Sequence, residues 1–258
     1  MLTVVTWLWS QPGFRTRYTP EIVLEMRDMV KRFYKKPHRF VCVTDQRIDG
    51  VETVRLGRLF SKLENPTWEN GPSCYRRLIA FKKDAARLFG SRFVSIDLDT
   101  ILLDDVTELW DRKEDVVLLK GISKDVPYCG AMFMMKTGCR PQVFDLFDPK
   151  TSPQKTAAAG IKGSDQAWIS YVLKKEACWK FGEDIIDFSH YIKESKKKPD
   201  AKIVFFNGSF KPWDPFVRER TPWIKEAYQY EQETSILPEN KKAWYNTFGK
   251  KQSRNKWL

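Results

Sequence analysis

Arg92–Trp110 reads RFVSIDLDTILLDDVTELW, and the choice of fold turns on how this stretch is taken. Arg92 to Ile96 is a short β-favouring run of the kind found in a sheet buried on both faces. Asp97 and Asp99 follow at once, with Asp104 and Asp105 a few residues on. In extended backbone, residues two apart share a face, so Asp97 and Asp99 are expected to converge at the carboxyl end of a strand. That end is where open α/β sheets bind their ligands. Two hard oxygen donors there suit Mn²⁺ or Mg²⁺ and leave coordination positions for a diphosphate. The plainer alternative is a loop that happens to be acidic, since a DxD triplet arises about once by chance in a chain of this length. Asp104 and Asp105 read as the start of a helix over VTELW, where acid is favoured by the helix dipole.

Outward from this stretch, strand-like and helix-like segments alternate. LTVVTWLW is a strand, PEIVLEMRDMVKRFYKK a helix with Pro20 in its first turn, and HRFVCVTD a second strand ending on Asp45. CYRRLIAFKKDAARLFG has apolar residues at helical spacing and stops on Gly90. Strands over DVVLLKG and KIVFF follow, together with an apolar run, AMFMM, and helices over RPQVFDLF and SDQAWISYVLKK. The alternation predicts an α/β domain with a Rossmann-like, mostly parallel sheet flanked by helices. Residues 63–73 and 148–164, rich in Pro, Gly and small polar residues, read as loops, the second as a lid beside a site. Residues 1–215 are taken as the domain. Residues 216–258 read as a basic, aromatic extension packed on it or trailing from it.

The chain has 258 residues, with 45 Lys and Arg against 33 Asp and Glu, a net charge of +12. Such an excess favours polyanionic partners: nucleic acid, acidic glycan or nucleotide. No segment approaches the roughly 18 to 20 apolar residues of a membrane span. The first ten residues read as a strand and not as a signal peptide. Five scattered cysteines without CxxC spacing point to reduced thiols in a cytoplasmic protein and give no support to zinc. His38 and His190 are the only histidines, too few for a histidine cage.

Two further segments carry polar chemistry. In GIKGSDQAW, Ser164 stands where a helix cap is expected, with Asp165 and Gln166 in the first turn. The plain reading is a capping motif. In FFNGSFKPWD, Gly208 permits close backbone approach and Lys211 has the reach to touch a phosphate. The plain reading here is a surface turn with one basic residue.

Taken in order, SIDLDT, GSDQAW and NGSFKPWD resemble the motifs of the family eight glycosyltransferases, of which glycogenin is the familiar member. The likeness runs from the first strand to about Asp214 and is nearest to small bacterial and phage-encoded members. It implies a GT-A fold and transfer of a sugar, with retention of configuration, from a nucleoside-diphosphate donor such as a UDP-sugar to a hydroxyl. By resemblance, Asp97 and Asp99 hold Mn²⁺ or Mg²⁺, and Asp97, Arg77, Gly208 and Lys211 lie along the donor. Arg77 stands where the family usually has a donor-contacting Lys. Thr6, Trp7 and Asp45 lie where the family holds base and ribose, and Asp165 and Gln166 face the sugar or the incoming hydroxyl. The family's third metal ligand, a His, is replaced by Phe205, with Asn207 the nearest polar substitute. The family's NSG reads Cys129-Gly130-Ala131, which removes an amide.

The basic surplus, dense in KESKKKPDAK and in KKAWYNTFGKKQSRNKWL, points to DNA as a polyanionic acceptor. A hydroxymethylated pyrimidine in phage DNA, flipped out of the stack, carries a suitable hydroxyl. The setting is then the host cytoplasm. Lipopolysaccharide, other glycans or protein are the alternative acceptors. Two other functions stay open: a metal-dependent nuclease, and a non-catalytic nucleic-acid-binding protein on a transferase scaffold.

Overall fold

Leu2–Leu8 forms β1, whose side chains feed two separate cores. Leu2, Val4 and Leu8 enter one and Val5 and Trp7 the other, the period-2 alternation of a strand covered on both faces. The computed structural model describes residues 1–10, 18–55, 63, 74–182, 184–191 and 196–227. Residues 64–73 of the first expected loop, part of the KESKKK run and the chain from 228 onward therefore lie outside the described residues.

After β1 come α1 (Pro20–Phe33), β2 (His38–Thr44), β3 (Glu52–Arg55) and a 3-10 helix over Tyr75–Phe81. They are followed by α2 (Ala86–Phe89), β4 (Arg92–Ile96), β5 (Thr100–Leu102), α3 (Thr107–Trp110), β6 (Val116–Lys120) and β7 (Tyr128–Lys136). Next are α4 (Gln142–Asp145), α5 (Ser152–Ala158), α6 (Asp165–Val172), β8 (Ala177–Trp179), β9 (Ile185–Asp187) and α7 (Phe188–Tyr191). The described chain closes with β10 (Ile203–Phe205), α8 (Pro215–Arg220) and α9 (Trp223–Ala227).

Seven strands form the main sheet in the order β3-β2-β1-β4-β7-β6-β8, and β5-β10-β9 make a smaller second sheet. β3, β2, β1 and β4 run parallel, while β7 lies antiparallel between β4 and β6. The expected α/β sheet is therefore present as a mostly parallel one, in a single domain. α1 packs on one face, whereas the 3-10 helix and α6 supply the other core through Leu78, Phe81, Trp168 and Ile169. Val217, Trp223, Ile224 and Ala227 join the α1-side core, so α8 and α9 are part of this body. Among the described residues no helix is long and apolar enough to cross a membrane.

Two local expectations are corrected. The segment 74–90 is not one helix: all of Tyr75–Phe81 except Arg76 is buried, a tight turn follows, and α2 ends on Gly90 with φ of 71°. The segment 148–164 contains α5, with a proline tolerated in its first turn, where its missing N–H is no loss.

One titrating group is built into the α1 side. Glu25 is partly buried, and its Oε1 has no hydrogen-bond partner. Burial pushes its carboxyl from 4.5 up to about 7, against the pull of Arg218 and with a further push from Glu21. A raised carboxyl pKa means the fold holds the proton longer, so stability falls as pH rises from 4.5 to about 7 and the loss is complete above that. Glu25→Gln is therefore expected to raise the melting temperature at about pH 8 and to change it little at about pH 4. Calorimetric scans at both values check this; an equal shift at both would place the effect elsewhere.

Candidate functional site

β1, β2 and β4 are parallel and end at one edge of the main sheet, and β7 begins there because it runs the other way. The Asp97 amide donates to the Ala131 carbonyl at 2.9 Å, tying the first aspartate to β7. Two residues on, the amide of Phe206 donates to the Asp99 carbonyl at 2.9 Å, tying the second aspartate to the small sheet. The DxD segment is thus the joint between the two sheets and belongs to no strand itself. Its two side chains go to different cations.

Arg77, on the 3-10 helix, is almost wholly buried, at 5% exposure. Its Nε donates to Asp165 Oδ2 at 2.7 Å and its Nη2 to Asp165 Oδ1 at 3.1 Å, a forked pair with a carboxylate that is 1% exposed. Its Nη1 donates to the Gly130 carbonyl at 3.0 Å and, closer still, to Asp97 Oδ1. Burial works against the guanidinium charge, but Asp165 and Asp97 outweigh it and hold the Arg77 pKa well above its ordinary value. Burial pushes the Asp97 carboxyl above the usual carboxylate range; Arg77 pulls it down, and Asp99 and Asp165 add to the rise.

Lys211, also 5% exposed, donates from Nζ to Asp99 Oδ2 and, at 2.9 Å, to the Phe206 carbonyl. Its backbone amide is held by Asp214 Oδ2 at 3.0 Å. Tyr18 donates its hydroxyl to Asp99 Oδ2 at 3.1 Å, and its ring meets Trp213 edge-on with centroids 5.3 Å apart. Burial, Asp99 and Asp97 hold the Tyr18 pKa well above its ordinary value. Asp165 and Gln166 open α6. Gln166 Oε1 accepts from the Gly130 amide at 3.1 Å, and the Ser164 hydroxyl donates to Asp165 Oδ1 at 3.2 Å. Ser164 sits at the cap position but makes no side-chain cap bond.

Gly130 is required by this packing: a Cβ there would lie 2.8 Å from Arg77 Nη2 and 3.3 Å from Gln166 Cβ. Arg77 is anchored on three acceptors and has little freedom to yield. Gly130→Ala is expected to displace the guanidinium and cut turnover by about tenfold or more, while the fold survives. Steady-state rates beside a melting curve check this, and unchanged turnover would mean that Arg77 plays no part in the chemistry. Gly208, with φ of 85°, needs glycine for its backbone and not for space, since a Cβ there would meet nothing within 4 Å.

The other expected residues sit around this cluster. Trp7 turns its ring into the core and donates Nε1 to Ser95 Oγ at 2.8 Å, so its side chain is spent on packing. Thr6 is fully buried, with a hydroxyl that has no partner. Asp45 lies exposed at the end of β2, where both its oxygens accept from the Ser10 amide at 3.1 Å. Asn207 donates from Nδ2 to Asp187 Oδ2 at 2.6 Å, and His190 Nδ1 lies 2.9 Å from Asp187 Oδ1.

Tested as a ligand set for Mn²⁺ or Mg²⁺, Asp97, Asp99 and Asn207 do not fit as they stand. Each carboxylate is paired with a buried cation, and Asn207 is tied to Asp187. Among the described residues no group of three or more His, Cys, Asp or Glu is placed to hold a metal. Sequence reasoning did not pick out Tyr18, Asp187 or the anchoring role of Asp214. Only Asp214 had a local signal, three residues after Lys211 in a proline-stiffened turn.

No family model matches this chain, and no curated protein matches it by sequence. Solved structures do. The galactosyltransferase LgtC, in complex with donor and acceptor sugar analogues, superposes with a TM-score of 0.58 at 11% identity, covering 93% of this chain and 99% of that one. The glycosyltransferase GlyE of Streptococcus pneumoniae TIGR4 gives 0.57 at 11% identity, covering 98% of this chain and 65% of GlyE. Its apo form gives 0.59. The chain therefore spans slightly less than two thirds of GlyE and nearly the whole length of LgtC. At this identity the likeness establishes architecture: the chain has the GT-A fold found in these glycosyltransferases.

Proposed function

We propose that this protein is a glycosyltransferase that takes its sugar from a nucleoside-diphosphate donor, with a UDP-sugar as the first choice. The observation that carries the reading is the pair of buried cations, Arg77 and Lys211, at the ligand-binding edge of a GT-A sheet. Guanidinium Nη2 carries two hydrogens, of which one goes to Asp165, and Lys211 Nζ carries three, of which two are engaged. Among the described residues each cation thus keeps one donor for a ligand. When the bond between the anomeric carbon and the diphosphate breaks, negative charge grows on the departing phosphate oxygens. Fixed positive groups in a dry site stabilise that charge most. Gln166, held by Gly130, orients toward the sugar, and Asp165 keeps Arg77 in place.

The acceptor in this reading is a hydroxyl on a polyanion, because a net charge of +12 concentrates polyanions at the surface. A hydroxymethylated pyrimidine of DNA comes first and an acidic glycan second. The test is a panel of sugar nucleotides incubated with DNA, glycan and protein acceptors and read by mass spectrometry. Mass gain of one sugar on any acceptor supports the transferase. Donor left intact across the panel, with DNA nonetheless bound in a salt-sensitive way, would favour the non-catalytic nucleic-acid-binding protein.

A further inference from the structure

We propose that the charge opposing the leaving diphosphate is supplied by Arg77 and Lys211 alone, with no divalent cation, and that Asp97 and Asp99 are positioning residues for these cations. This rests on the transferase reading above and specifies how its site is charged. Both carboxylates of the DxD segment are already committed, Asp97 to Arg77 and Asp99 to Lys211. Neither cation has come in from solvent to fill a gap. Arg77 is fixed by Asp165, Asp97 and the Gly130 carbonyl, and the missing Cβ of Gly130 makes the room for it. Lys211 is fixed by Asp99 and the Phe206 carbonyl, with Asp214 holding its backbone.

A divalent ion seated on the same carboxylates would compete with Arg77 for Asp97 and with Lys211 for Asp99. Its double charge is repelled by each of these cations, and burial of the site leaves that repulsion poorly screened. Relief requires moving Arg77, which would leave Asp165 buried and unpaired at 1% exposure. Among the described residues no group of three or more His, Cys, Asp or Glu is placed to compensate. Phe205, on β10, is an apolar core residue at 1% exposure, and its register partner on β9, Asp187, is engaged with Asn207, His190 and the Ser189 amide.

The experiment is calorimetric titration of UDP into the full chain, once in EDTA and once with Mn²⁺, beside a titration of Mn²⁺ alone. UDP affinity is expected to agree within about threefold between the two buffers, a difference of roughly 0.7 kcal/mol. Lys211→Met is expected to weaken UDP binding about 10- to 100-fold in EDTA, the loss of one charge-assisted contact. Asp99→Asn keeps an acceptor oxygen for Lys211, and its loss is expected to be the same with and without Mn²⁺. Circular dichroism confirms that each variant is folded, and Lys211→Arg, which keeps the charge, recovers part of the affinity. UDP binding that needs Mn²⁺, or a Mn²⁺ site in the wild type that Asp99→Asn removes, would overturn the proposal and leave the transferase standing. No binding of UDP or of any other nucleoside diphosphate in either buffer would remove the transferase reading and this inference with it.

Discussion

Arg77→Met is expected to lower the free energy of unfolding by about 3–5 kcal/mol and to abolish sugar transfer. The size follows from what the substitution strands. Asp165 has 1% of its surface exposed, and its carboxylate takes two hydrogen bonds from Arg77. Without the guanidinium it is a buried charge whose remaining side-chain hydrogen bond among the described residues is from the Ser164 hydroxyl. The Gly130 carbonyl loses its partner as well. Denaturant titration measures the loss. A second variant separates structure from chemistry: Arg77→Met combined with Asp165→Leu replaces the buried pair by apolar groups and is expected to recover most of the stability. Transfer should stay absent in the double variant. A single variant as stable as the wild type would mean that the Arg77–Asp165 pair does not hold the 3-10 helix to α6.

Trp110→Ala is expected to have an equally large effect on stability, about 3–5 kcal/mol, and none on donor affinity. Trp110 closes α3, is 2% exposed, and packs its ring against Tyr34 with centroids 5.4 Å apart. It borders a surface hollow with Met1, Leu2, Ser91 and Arg92, at the starts of β1 and β4. That is the opposite end of the sheet from Asp97, which follows β4. Its buried Nε1 has no partner, so the truncation strands no hydrogen-bond acceptor. Stability and UDP affinity measured on the same preparation decide the matter: a drop in affinity beyond that explained by unfolded protein would couple the two ends of the sheet.

The central strands of the sheet were legible in the sequence because they read as continuous apolar runs, as in RFVSI of β4 and YCGAMFMMK of β7. β3 and β8, only partly buried, were not read as strands. Periodicity said nothing of direction, so the antiparallel insertion of β7 between β4 and β6 came only with the structure. The segment 74–90 misled because its apolar spacing suits one amphipathic helix, whereas Tyr75–Phe81 is a 3-10 helix with every side chain but Arg76 buried. In residues 148–164, Pro153 was read as loop composition although proline is at home in a helix's first turn. Of the candidate site, Asp97, Asp165 and Gln166 lie around Arg77 and Gly130, while Asp99 pairs with Lys211. Their pairing was not legible. Arg77 lies 88 residues from Asp165, and Lys211 lies 112 from Asp99. Which carboxylate meets which cation is set by the joint between two sheets, and no local pattern records it.

In the proposed function, Arg77 and Lys211 together receive the diphosphate of a sugar nucleotide. Titration of UDP and of UMP into the wild-type chain under one buffer tests it most directly. UDP is expected to bind at least about tenfold more tightly than UMP, since the second phosphate gains a charge-assisted contact worth about 1.5–3 kcal/mol. Equal affinities for UDP and UMP would contradict it.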